Sequence, residues 1–133
     1  MIVVDANVVI AASSPGHVHH EAAQQIVTDH GGEGMVLHSL TMAEVLVGPA
    51  RGGAEAVARG LLADAGFRLA PQGDPSPEHL ARVRASTTLK MPDACVLATA
   101  EHLQVALATF DRRVAREAGA RGITVLDEGQ LPR

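Results

Sequence analysis

The chain has no tryptophan or tyrosine, and only two phenylalanines and one cysteine among its 133 residues. Without large rings the core has to be aliphatic, built from Val, Leu, Ile and many Ala, which suits helices packed closely on a sheet. A single cysteine excludes an internal disulfide. Cys95 lies in an apolar run and reads as a small core hydrophobe in a reducing compartment. No apolar stretch approaches the roughly 20 residues that cross a bilayer, and runs such as Val8–Ala12 are far too short. The opening Met-Ile-Val-Val-Asp has no basic region ahead of a long apolar segment, which excludes an ordinary signal peptide. A cytoplasmic protein with no membrane segment is expected.

Lysine is also scarce, Lys90 being the only one. Eleven Lys and Arg against 15 Asp and Glu give a net charge of −4, which does not advertise a nucleic-acid binder. Net charge misleads, however, where acids concentrate around a bound cation. The cations are nearly all Arg, the better fork for phosphate. Arg82, Arg84 and Lys90, and Arg112, Arg113 and Arg116, are candidate backbone contacts, with a solvated helix face as the plain alternative.

Apolar residues make up 47 % of the chain. A length of 133 residues fits one domain spanning 1–133. At this size roughly 68–70 % of the unfolded surface is buried, so no disulfide or structural metal is needed. Short apolar runs at Ile2–Val4, Met35–His38, Phe67–Leu69, Val105–Ala108 and Ile123–Leu126 read as parallel strands covered on both faces. Segments of helical period lie between them. Val18, Ala22 and Ile26 make a stripe that stops at Gly31-Gly32. Thr41 and Glu44 have capping-box spacing in a helix closed by Gly48-Pro49. Val57, Leu61 and Leu62 mark a further helix, Ser76-Pro77 caps the next, and Pro92 opens one running to about Leu103. A last helix follows Asp111. The alternation predicts one α/β domain with a mainly parallel five-stranded sheet flanked by helices.

The acids then fall on one edge of that sheet. Asp5 follows the first strand directly, and Asp111 follows the fourth by a Thr-Phe step. Glu44 and Asp93 are expected in the first turns of helices that begin where strands end. In right-handed βαβ units strand ends and helix starts share an edge, where open α/β sheets bind ligands. Two carboxylates about 4 Å apart repel by roughly 4 kcal/mol at an effective dielectric near 20. Hard oxygen ligands suit Mg²⁺ or Mn²⁺, which activates water and offsets phosphoryl charge. The pattern therefore points to metal-assisted hydrolysis of a phosphodiester.

Each acid also has a plainer reading. Glu44 can close a capping box with Thr41, Asp111 can be an N-cap, and Asp93 gains from the helix dipole in any case. Asp5 is harder to dismiss, because an apolar run resumes soon after it. Asn7 can cap the helix near Val8 or orient the site, and Thr109 is a turn hydroxyl or a contact to the site. His17, His19 and His20 resemble a metal tract but lack a second cluster, so a surface role is preferred. No phosphate loop and no nucleophile elbow is present.

Val-Val-Asp5-Ala-Asn7, Thr41-Met-Ala-Glu44-Val-Leu, Leu89-Lys-Met-Pro-Asp93-Ala-Cys-Val-Leu-Ala-Thr-Ala and Ala108-Thr-Phe-Asp111-Arg-Arg resemble, in order and spacing, the four motifs of PIN domains. The match spans almost the whole chain, and its third motif is the most specific. The compact length is similar to that of VapC toxins of toxin–antitoxin pairs. The resemblance implies a PIN-like three-layer α/β fold and a Mg²⁺- or Mn²⁺-dependent endoribonuclease. It also implies a homodimer, and a VapB-like antitoxin whose tail blocks the acidic pocket. By the same resemblance Asp5 and Asp93 are the principal metal ligands, with Glu44 and Asp111 completing the site. A receiver domain would want a second acid beside Asp5 and a lysine after a late strand. A dehalogenase-type phosphatase would want an acid at Asn7. A non-catalytic PIN-like module binding protein or RNA is the remaining alternative.

Overall fold

Every expected apolar run forms a strand in the computed structural model, which describes residues 1–127. The strands are β1 (Ile2–Val4), β2 (Met35–Leu37), β3 (Phe67–Leu69), β4 (Ala106–Ala108) and β5 (Val125–Leu126). All pairings are parallel, in the order β3-β2-β1-β4-β5. Seven helices connect them: α1 (Ala6–Ala12), α2 (His20–His30), α3 (Ser39–Arg51), α4 (Glu55–Asp64), α5 (Pro77–Ser86), α6 (Met91–Leu103) and α7 (Arg112–Ala120).

Successive strand residues point to opposite faces, and both faces are covered. Ile2, Val4, Met35, Leu37, Phe67 and Ala108 pack with α1, α2 and α3 on one side. Val3, Val36 and Leu107 pack with α5, α6 and α7 on the other. The result is the three-layer α/β arrangement, and it explains why the strands read as unbroken apolar runs. Helix α6 is buried almost all round, from Ala94 to Ala100, so it shows no single apolar stripe. Free Cys95 is among its buried residues. Among the described residues no helix is long and apolar enough to cross a membrane.

Three local expectations fail. Helix α3 is capped by His38, whose Nδ1 accepts the Leu40 N–H at 2.9 Å, so Thr41 is its third residue and not its cap. No capping box forms, and Glu44 stands in the second turn. Gly48-Pro49 does not end α3: the helix runs on to Arg51, where the Pro49 carbonyl accepts from Gly52 and Ala54. A proline in the last turn forfeits only one intrahelical bond, and Gly53, at φ +73°, makes the turn. Val18 precedes α2 and is exposed. Helix α4 forms where Val57, Leu61 and Leu62 mark it, but it buries no residue, and Val57 and Leu61 are 67 % and 64 % exposed.

The sheet order fixes where a ligand can reach. The chain builds β1, β2 and β3 in one direction, returns, and lays β4 and β5 on the far side of β1. The reversal falls between β1 and β4, and the crevice beyond their carboxyl ends is where doubly wound sheets bind ligands.

Candidate active site

Asp5 leaves β1 at that crevice. The Asp5 N–H donates to the Ala108 carbonyl at 2.9 Å, extending the β1–β4 ladder by one bond. Its side chain caps α1, with Oδ1 accepting from the Ala6 N–H at 2.7 Å. Oδ2 accepts from the Thr109 hydroxyl at 2.8 Å and from Asn7 Nδ2 at 3.4 Å. Only 6 % of the residue is exposed. Its carboxyl is raised to about 6: burial is the largest cause, the Thr109 and Ala6 hydrogen bonds oppose it, and the charges of Asp93 and Asp111 add to it.

Thr109 and Asn7 tie the two strand ends together. Buried Thr109 also accepts the Asp111 N–H at 3.0 Å. Asn7 lies inside α1, so it is not that helix's cap; its Oδ1 accepts the Phe110 N–H at 3.2 Å. The capping role expected of Asn7 belongs to Asp5.

Asp111 caps α7, its Oδ1 accepting from Arg113 N at 2.8 Å and Val114 N at 3.4 Å. Partial burial pushes its carboxyl up, but the Arg113 side chain and the two backbone donors outweigh that and hold it low. Asp93 is the third residue of α6, where the positive end of the helix dipole favours an anion. Burial nevertheless raises its carboxyl, helped by the charge of Asp111 and opposed by Arg113 and Lys90. Glu44 is raised by partial burial and then by the charge of Asp93. The four acids therefore sense one another: Asp5 with Asp93 and Asp111, Asp93 with Asp111, and Glu44 with Asp93. Arg113 Nη2 stands 3.3 Å from Asp111 Oδ2 and 3.7 Å from Asp93 Oδ2.

The chemistry of this donor set fits a hard divalent cation: every donor is a carboxylate oxygen, and two of the acids raise Asp5. The carboxylates are not gathered round one point, since among the described residues no three His, Cys, Asp or Glu side chains are close enough to hold one ion. The histidine tract has packing roles. His19 stacks on Phe110 with ring centroids 4.7 Å apart, and His20 Nδ1 lies 2.8 Å from the Ala11 carbonyl oxygen.

One neighbouring cluster has no sequence signal. Ser39, at the start of α3, donates its N–H to Asp74 Oδ1 at 3.1 Å and its hydroxyl to Asp74 Oδ2. His38 Nε2 lies 3.7 Å from the same carboxylate. The contact spans 35 residues and depends on β3 lying beside β2, so it is visible only once the strand order is known.

The PIN domain pattern matches residues 2–120. The chain belongs to the PIN-domain family. Solved structures similar to this PIN domain include a toxin–antitoxin complex from Klebsiella pneumoniae, at 24 % identity and TM-score 0.69, covering 93 % of this chain and 96 % of that one. FitAcB from Neisseria gonorrhoeae is similar at 21 % identity and TM-score 0.69, over 98 % of this chain and 100 % of that one. VapC20 from Mycobacterium tuberculosis, a sarcin-ricin loop cleaving toxin, is similar at 12 % identity and TM-score 0.67, over 88 % and 95 % of the two chains. At these identities the likeness is one of fold. No curated protein matches the chain significantly.

Proposed function

We propose that this PIN domain is a Mg²⁺- or Mn²⁺-dependent endoribonuclease and the toxin of a VapBC-type toxin–antitoxin pair. The observation that carries the reading is Asp5: a carboxyl buried at the end of the central strand, held by three donors, with two further acids acting on it. A domain that gains nothing from such a cluster would lose little by replacing Asp5 with a neutral cap.

Asp5 and Asp93 are the proposed metal ligands, with Glu44 and Asp111 completing the acidic site. A bound divalent ion would supply an activated water and offset charge on the phosphodiester oxygens. The chain's own part is positional. Thr109 and Ala6 hold the Asp5 oxygens in fixed directions, α6 presents Asp93 from its first turn, and the α7 cap fixes Asp111. Glu44, raised by partial burial and then by the charge of Asp93, holds a proton more readily than a free carboxylate. The neighbouring folds described as toxin–antitoxin complexes support a protein partner. So do the exposed Val57 and Leu61 of α4 beside the apolar groove lined by Val45, Leu46, Leu62 and Phe67. A VapB-like antitoxin, a homodimer and action in the cytoplasm belong to the same reading.

The test is incubation of purified protein with structured RNA in Mg²⁺, Mn²⁺ or EDTA, followed by mapping of the RNA ends. Metal-dependent cuts leaving 5′-phosphate and 3′-hydroxyl ends are expected. Cleavage persisting in EDTA, or 2′,3′-cyclic phosphate ends, would reject the mechanism. RNA binding without cleavage would leave a non-catalytic module.

A further inference from the structure

The acidic edge carries its own cation. Asp93 and Asp111 both pair with Arg113, through the same Nη2 atom, and only the Asp111 contact has hydrogen-bond geometry. Arg113 is held at its backbone, where its N–H donates to the capping Asp111 Oδ1 at 2.8 Å, while 64 % of its side chain is exposed. A pinned main chain with a loose guanidinium can leave the acids without disturbing α7. Exposed ion pairs of this kind are weak, and a divalent ion competing for the same oxygens outbids them readily.

We propose that Arg113 is a displaceable internal cation, which bridges Asp93 and Asp111 until a divalent ion takes those carboxylates and then turns to an RNA phosphate oxygen beside them. This rests on the ribonuclease reading. Its planar fork suits a phosphate, and its anchor in the first turn of α7 keeps it at the crevice after it lets go. Lys90 acts on Asp93 through its charge and makes no ion pair with the acids among the described residues, so it does not fill the same place. The inference also bears on the net charge of −4: the cation that meets RNA is already in the acidic site.

The experiment compares wild type with Arg113→Ala and Arg113→Lys. Calorimetric titration with Mn²⁺ alone, without RNA, reads the first half. Arg113→Ala should bind Mn²⁺ several-fold more tightly than wild type, because a competing positive charge has gone, and Arg113→Lys should return towards wild type. Fluorescence anisotropy of labelled single-stranded RNA in saturating Mn²⁺, in a Glu44→Gln background to slow cleavage, reads the second. There Arg113→Ala should weaken RNA binding several-fold, and Lys should restore only part, as a point charge without the fork. A purely structural role would leave Mn²⁺ affinity unchanged or lower it. Either that result, or RNA affinity unaltered by Arg113→Ala, overturns the proposal. A wild-type protein that binds Mn²⁺ and RNA without cutting counts against the ribonuclease reading, and the same two affinities still decide the role of Arg113.

Discussion

Thr109 donates its hydroxyl to Asp5 Oδ2 at 2.8 Å, across 104 residues of sequence. The bond joins the carboxyl ends of β1 and β4, the two strands between which the sheet changes direction. The same hydroxyl oxygen accepts the Asp111 N–H, so one small side chain sets the relative positions of two acids.

Thr109→Val keeps the shape and removes both bonds. A buried hydrogen bond to a charged group contributes about 2 kcal/mol, and its loss leaves Asp5 with one donor fewer. We expect a destabilisation of about that size in urea unfolding at pH 7.5, smaller at pH 5 where Asp5 is protonated, with Thr109→Ser close to wild type. The Asp5 titration, followed by NMR, should move upward, because the lost bond had favoured the carboxylate. An equal destabilisation at both pH values would show that the hydroxyl does not serve the Asp5 charge.

Asp5 also makes the metal-free protein pH-sensitive. Its folded carboxyl titrates near 6 against 3.8 for the free side chain, so between those values the folded state holds a proton that the unfolded chain has released. Stability then falls as pH rises through that window, is fully reduced above it, and is unaffected below it. The shift corresponds to about 3 kcal/mol at neutral pH. Asp5→Asn should therefore be more stable than wild type in EDTA at pH 7.5, by less than the full amount because the amide has one accepting oxygen where the carboxylate has two. The gap should close near pH 4. A variant less stable than wild type at pH 7.5 would contradict this reading of Asp5.

How much of this was legible in the sequence follows from what each feature depends on. The five strands were readable because both sheet faces are buried, leaving nearly pure apolar runs bounded by polar residues. Pro92 and Ser76 marked helix starts because their effects are local. The edge shared by the four acids followed from parallel topology alone. The cap of α3 was missed because His38 accepts through a ring nitrogen, a role usually filled by Ser, Thr, Asp or Asn. Asp5 took the capping role expected of Asn7, since either can cap and only the angle at which the chain leaves β1 decides. Val57 and Leu61 have helical spacing yet face outward, because periodicity shows that a face is apolar without showing what covers it. Arg113 and the Ser39–Asp74 contact needed side-chain direction and strand adjacency, which no spacing rule supplies.

The far end of α6 gives an opposite pH signature. Glu101 is pushed up by burial, but His79 and Arg121 more than compensate and hold its carboxyl low. Its oxygens lie 2.9 Å from each of those partners. A lowered carboxyl contributes stability above its unfolded value of 4.5, which is lost as pH falls through the folded value. Glu101→Gln should cost about 1 kcal/mol at pH 7, after allowance for solvent screening of a partly exposed group, and less below pH 4. RNA cleavage should be unchanged, since this network sits at the edge opposite the acids. A loss of activity without unfolding would mean that the two edges are coupled.

Asp93 is the acid that reaches the others: its charge raises both Asp5 and Glu44, and Asp111 in turn raises it. Asp93→Asn removes one negative charge and keeps the side-chain shape at the start of α6. With that repulsion gone, the NMR titrations of Glu44 and Asp5 should both move down in the metal-free protein, Glu44 losing the second of its two causes and Asp5 a smaller one. If Asp93 also holds the metal, the variant should lose Mn²⁺ binding and at least about 100-fold in RNA cleavage. The circular dichroism spectrum should be unchanged. The titration arm tests the convergence of the acids, and the cleavage arm tests its use. A Glu44 titration that ignores Asp93→Asn would mean that the acids do not form a shared field, however the RNA experiment turned out. Shifted titrations with undiminished cleavage would keep the shared field and remove Asp93 from the chemistry.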